Sequence, residues 1–418
     1  MRFRMRQPFY CLDCPRTNLW QPLLTTFLLT LTVLACASAH SQTFSVIHTF
    51  TGAGDGGTPY AGVTIRAGIL YGTSSVGGAG DGTVYQTWKS GTDWFTLPIS
   101  YFSSGGSDPI SRVVFGPDRH LYGTTQNGGP KQAGVVYDLT VPATICKTAS
   151  CFWNENVVYE FRVPPDGNYP GNGDLVWDQA GNIYGTTLYG GVNNAGTVFE
   201  LTPSGNNWTE SVIYSFSGPD GYLPGSTIFV DKNGNLFGTT IYGGANGLGT
   251  IFELQYDSQL GWTEKFLYSF QNGTDGSAPL SGLVSDSAGN LYGATIDGGI
   301  NGGGTVFELS PSGNSWTFNT IYSLSGTPGP GCGPLDLTFD DKGNLYGATY
   351  CDGAYNAGNV FKLTPSGNFW AYTSLYDFTG GADGKFPISN VSIDGSGNLY
   401  GTASAGGSGF GVIWMIVP

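Results

Sequence analysis

Seven times along this chain an aromatic residue is followed by Gly and then by Thr or Ala, with the aromatic at Tyr71, Tyr122, Tyr184, Phe237, Tyr292, Tyr346 and Tyr400. The steps between them are 51, 62, 53, 55, 54 and 54 residues. A sustained period constrains the fold strongly, because each unit buries its apolar face against a copy of itself. A typical unit runs from Ser226 to Val230, through a Lys232-Asn-Gly turn, into Asn235-Leu-Phe-Gly-Thr-Thr. A Tyr-Gly-Gly-Ala-Asn-Gly loop leads to Gly249-Thr-Ile-Phe-Glu-Leu, and a last run spans Trp262 to Phe270. These are four short β-rich runs, here strands A to D, separated by turn chemistry. The 68 Gly and 23 Pro in 418 residues would suggest disorder without a period. With one, they read as turns in an all-β chain.

Four strands in about 54 residues is the size of a propeller blade, longer than most solenoid coils. The ends of the repeat imply closure. The seventh unit stops after strand C, at Gly411 to Val417, while the first unit is preceded by a spare D-like strand, Phe44 to Phe50. Pairing the two completes the last blade and leaves no open edge. The expectation is one seven-bladed β-propeller over residues 44–418. In six units a Trp (Trp94, Trp153, Trp208, Trp262, Trp316, Trp370) lies eight residues before a buried-type apolar residue such as Phe216. Such regular aromatics read as packing between blades rather than as a ligand-stacking ladder.

The recurring phrase Asn-Leu-Tyr-Gly-Thr/Ala, Gly-Gly, Gly-Thr-Val-Phe-Glu-Leu-Thr-Pro-Ser-Gly and Ile-Tyr-Ser-Phe resembles the GloVer tandem repeat of bacterial "choice-of-anchor" exported proteins. The resemblance covers residues 44–418 and implies an exported repeat protein, often held by a variable C-terminal anchor. It brings no catalytic residues. Strand C of the last unit runs to Val417-Pro418 without a sorting tail, so an anchor is expected at the N-terminus if there is one.

Arg2, Arg4, Arg6 and Arg16 precede an apolar run from Leu23 to Cys36, and Ala37-Ser38-Ala39 follows. That is the layout of a signal peptide, read as residues 1–39, with 40–43 a short lead-in. The run is shorter than the roughly 20 residues of a membrane-spanning helix. Val33-Leu34-Ala35-Cys36 also resembles a lipobox, which leaves lipidation at Cys36 as the alternative. Without the leader the chain has 12 basic and 29 acidic residues, a net charge of −17, which disfavours nucleic acid. The destination expected is the cell surface, the periplasm or the medium. The leader also holds Cys11 and Cys14. Four cysteines remain in the mature chain, enough for two disulfides in an oxidising compartment. Cys332 and Cys351 face each other if strands A and B of the sixth unit pair with residue numbers summing to about 684. Cys146 and Cys151 then staple the long C–D connection of the second unit.

Histidine is confined to His40, His48 and His120, so no catalytic triad, His-based metal site or cofactor site is expected. Asp-Gly in the D–A loops (Asp55, Asp166, Asp220, Asp275, Asp383) suits Ca²⁺ or a side-chain-closed turn, and the isolated carboxylates favour the turn. The same holds for the A–B turns at Asp178, Asp231 and Asp341.

The sharper signal is where the repeat fails to repeat. One position of strand A is always apolar, and the residue before it is Gly62, Arg112, Asp174, Thr227, Gly282, Asp336 or Asn390. With strand A innermost, these girdle one mouth of the central channel. Either Arg112 merely pairs with an Asp there, or the girdle binds a ligand. Arg112, Asp174, Thr227, Asp336 and Asn390 are the candidate contacts, beside the loop aromatics Tyr60, Tyr169, Tyr222 and Phe386. A binding or scaffold role toward a glycan or protein is the first expectation. A carbohydrate-active hydrolase using Asp174 and Asp336 is the alternative.

Overall fold

The computed structural model describes residues 42–418 apart from 103–104, 144–150, 172, 206, 272, 314, 326–328, 330 and 368. The expected signal peptide, the lipobox-like stretch ending at Cys36, and Cys146 lie outside the described residues. The aromatic-Gly-Thr/Ala phrase forms strand B of every blade, for instance Leu236–Thr240 in the fourth. Phe229–Val230 pairs on one side of it, and Thr250–Asp257 and then Gly261–Ser269 follow on the other. Its Gly is required by a close approach. In all seven blades a Cβ there would lie 2.3 to 2.6 Å from the strand C ring of the same blade, Phe252 in the fourth and Tyr85 or Trp414 in others.

Seven such sheets form a seven-bladed β-propeller, with no helix among the described residues. The ring closes as the ends of the repeat require: Thr43–Thr49 pairs antiparallel with Val412–Val417, placing Phe44 opposite Ile416. A one-residue bulge recurs in the C–D pairing of all seven blades, at Ile213 in the third and Ile47 in the closing strand. The bulge re-aims the end of strand D, and the residue that follows the ladder, such as Phe216, is fully buried.

There is one apolar core for each of the seven blade interfaces. Between blades three and four, Tyr184, Val198 and Phe216 meet Ile228, Leu236, Phe252 and Leu254. The strand D tryptophans pack there, each near the motif aromatic of the preceding blade, as in Trp262 on Tyr184 (6.1 Å between ring centroids) and Trp94 on Tyr400 (6.3 Å).

Two residues beyond each tryptophan the interfaces diverge. Glu155, Glu210 and Glu264 stand at the first three, Glu155 accepting from Ser100 and Glu210 from Tyr159. The next two hold stacked rings, Tyr268 on Phe318 and Tyr322 on Tyr372, and Phe44 of the closing strand stacks on Tyr376 at the sixth.

Candidate functional site

Strand A faces the central channel, and the residue before its invariant apolar position points inward. Arg112, Asp174, Thr227, Asp336 and Asn390 all line one cavity of about 290 Å³ at the channel mouth, together with Gly62 and Gly282. Arg112, Thr227, Gly282, Asp336 and Asn390 also border a second cavity of about 550 Å³, which continues along the A strands past Val114, Val284, Thr338 and Ser392. Five of the seven residues therefore stand between two chambers, while Gly62 and Asp174 face the first alone.

Arg112 organises one side of this girdle. Its Nε and Nη2 donate to Asp174 Oδ2 at 2.9 and 2.6 Å, and its backbone N–H donates to Asp174 Oδ1 at 3.2 Å. In the other direction it reaches past the first blade to the seventh, where Asn390, with its amide turned so that Oδ1 meets the guanidinium, accepts from Nη1 at 2.7 Å and Nη2 at 3.2 Å. Gly62 makes room for that reach, since a Cβ there would lie 2.0 Å from the Asn390 side chain. Asp174 is buried, at 7% exposure, and its backbone N–H donates to Thr227 Oγ1 at 2.9 Å. The Arg112 side chain, 26% exposed, is thus met by protein on both edges of its guanidinium.

Asp336 stands apart. The one hydrogen bond its carboxylate makes among the described residues is from the backbone N–H of Leu337, its own neighbour, at 3.0 Å. Burial first, and then the negative charge of Asp174, push its pKa up to about 7, against the pull of Arg112. The local strand explains its position. Blade six has a continuous strand A, Pro334–Phe339, whose pairing with strand B slips by one residue between Pro334 and Leu337. Asp336 sits in that slip, where a bulge redirects side chains. The same slip changes the register sum from 684 (Leu337 with Gly347) to 683 (Pro334 with Thr349), which is the sum of Cys332 and Cys351. These two form a disulfide with Cα atoms 4.6 Å apart. Their sequence neighbours Gly331 and Tyr350 both line the mouth, so the bridge ties together two mouth segments of the sixth blade. Cys151 is also disulfide-bonded; the expected partner Cys146 lies outside the described residues.

Above the girdle lies a collar that the repeat-breaking positions did not flag. The residue after a loop proline lines the mouth in five blades: Tyr60, Ile110, Leu280, Leu335 and Ile388. In blades three and four that residue is Gly171 or Gly225, which leave the wall low and pack on each other, a Cβ on Gly171 lying 2.9 Å from Gly225 Cα. Tyr60 is 41% exposed. Phe386 stacks on the mouth residue Tyr350 at 4.5 Å, whereas Tyr169 and Tyr222 lean on Tyr189 and Tyr242. The signal for this collar was in the sequence, as a mostly apolar residue after each proline.

The loop aspartates are turn closers. Asp166, Asp220, Asp275 and Asp383 each accept a strand D tyrosine hydroxyl, as from Tyr214 to Asp220 at 2.7 Å, and a backbone N–H of their own loop. In the A–B turns Asp178 and Asp231 accept from the backbone N–H of Asn182 and Asn235. The sixth-blade counterpart is Asp340, not the expected Asp341, because Asp340 is the residue four before Asn344 and accepts its N–H at 2.9 Å. Among the described residues no three His, Cys, Asp or Glu side chains converge to hold a metal. No helix there is long and apolar enough to cross a membrane.

The sequence profile of the Gloeobacter/Verrucomicrobia repeat matches residues 32–228, 149–265 and 231–418, which together span nearly the whole chain. The chain belongs to that repeat family. No curated protein matches this Gloeobacter/Verrucomicrobia repeat chain in sequence. Its fold is similar to a polysaccharide lyase of family PL25, an ulvan lyase solved with a bound -[GlcA(1-4)Rha3S]- fragment, at a TM-score of 0.55 and 12% identity over 90% of this chain and 95% of that one. It is also similar to the extracellular domain of a protein assigned as a hybrid two-component system of B. thetaiotaomicron, at 0.57 and 13% over 90% of this chain and 42% of that one. At such identities the Gloeobacter/Verrucomicrobia repeat chain shares the fold with these proteins, and residue roles do not transfer.

Proposed function

We propose that this protein is an exported binding module that holds a saccharide at the mouth of its central channel. The observation that carries the reading is the mouth itself: an apolar collar with an exposed Tyr60 over a floor of fixed polar groups. Aromatic and aliphatic faces pack on the C–H faces of a sugar ring, while the polar groups below order its hydroxyls. Export is supported by the leader, by the Cys332–Cys351 disulfide and by the extracellular domain among the similar structures. The experiment is a glycan array probed with the purified protein and with Tyr60→Ala. Retention of a saccharide class by the wild type, lost in the variant, is the expected result. Retention of no glycan, or equal retention by both, contradicts it.

The hydrolase reading keeps one point in its favour, a carboxyl with a pKa of about 7 that shares its cavity with a second carboxyl, Asp174. Against it, Asp174 is held by Arg112, which weakens it as a base. Release of reducing ends from any retained glycan, abolished in Asp336→Asn, would revive that reading.

A further inference from the structure

Resting on the saccharide reading above, we propose that the recognised sugar carries a protonated amine, which meets the carboxylate of Asp336 at the channel floor. The charges of the girdle do not balance internally. Asp174 and Asn390 occupy both edges of Arg112, the girdle's one cation. That leaves Asp336 facing the channel with only a backbone N–H from Leu337. Enclosure favours the neutral form of such a group, and a positive group that reaches it restores the carboxylate; Asp336 borders both chambers, so a ligand in the mouth has access.

The counter-charge must come on an organic scaffold. A bare divalent ion needs six or more oxygen ligands for calcium, and the described residues offer no converging set of three acidic, His or Cys side chains. An ammonium on a sugar brings its remaining contacts with it, since the ring packs in the collar of Tyr60, Ile110, Leu335 and Ile388. An anionic saccharide would instead meet Asp336, Asp174 and a mature chain of net charge −17.

The test holds the sugar backbone constant and exchanges each amine for a neutral acetamide, with Asp336→Asn separating the loss of charge from the added bulk. Calorimetric titration at pH 6.5 compares a β-1,4-linked glucosamine tetramer with its fully N-acetylated counterpart, on the wild type, Asp336→Asn and Tyr60→Ala. The expected result is at least tenfold tighter binding of the amine form, a preference erased by Asp336→Asn, with Tyr60→Ala weakening both sugars. Equal affinity for the two sugars, or a preference that survives Asp336→Asn, overturns the inference. Binding of the acetylated form alone, sensitive to Tyr60→Ala, removes the amine and leaves the saccharide role standing. Binding of neither overturns the amine inference, and the glycan array then judges the broader reading separately.

Discussion

Two positions in the repeat are filled seven times under opposite rules. At the end of strand D stand Phe50, Phe102, Phe161, Phe216, Phe270, Leu324 and Phe378, none more than 1% exposed. At the channel girdle stand Gly62, Arg112, Asp174, Thr227, Gly282, Asp336 and Asn390. The first set fills a gap between two sheets whose shape is the same at every interface, so one side chain answers it each time. The second set faces a space that packing does not fill. Uniformity marks what holds the ring together, and variation marks what the ring can hold.

The largest effect expected from this contrast is on the uniform side. Phe216→Ala empties a core between two blades and should cost about 3–5 kcal/mol in denaturant unfolding. Saccharide affinity should stay unchanged while the fold persists. Affinity that falls in step with stability would blur the comparison.

Replacing Cys332 and Cys351 with Ser opens a 19-residue loop and should destabilise by at most about 3 kcal/mol. Because this bridge ties together two mouth segments, ligand affinity should weaken as well. A lower melting temperature with intact affinity would assign the bridge to the ring alone.

A subtler effect lies at the rim. Burial, and then the charges of Asp166 and Asp220, raise the pKa values of Glu210 and Glu264 to about 7, from an ordinary 4.5. The folded state therefore holds more protons between those values, and stability is full below pH 4.5 and lost as the pH rises toward 7. A melting temperature that falls between pH 5 and 7.5, with a shallower slope in Glu210→Gln, is the expected record. A flat profile in the wild type would place these carboxylates in better-solvated surroundings.

Much of this architecture was legible in the residues because each unit repeats its own evidence. The blade count, the closing strand and the packing of the tryptophans between blades needed only spacing. The disulfide needed one antiparallel sum, although the slip that makes 683 of 684 appears only in the pairing of Pro334 with Thr349. The girdle was legible as departures from the repeat. Its wiring was not, since the reach of Arg112 past Gly62 to Asn390 depends on a long side chain crossing a whole blade. The acidic and aromatic halves of the rim also escaped notice, because Glu210 and Phe318 meet their partners only across an interface between units.

The central claim is that the girdle serves a ligand rather than the fold. Asp336 tests it more cleanly than Arg112, whose removal would strand the buried Asp174 and destabilise for that reason alone. With its folded pKa near 7 against an ordinary 3.8, Asp336 contributes stability at low pH that is lost as the pH rises through 7. The measurement is the melting temperature of Asp336→Asn beside the wild type at pH 8 and at pH 4. A residue kept for binding predicts a variant that melts higher at pH 8, by up to about 4 kcal/mol of stability, with the gain vanishing near pH 4. A variant that melts lower than the wild type at pH 8 would make Asp336 part of the scaffold and contradict the account.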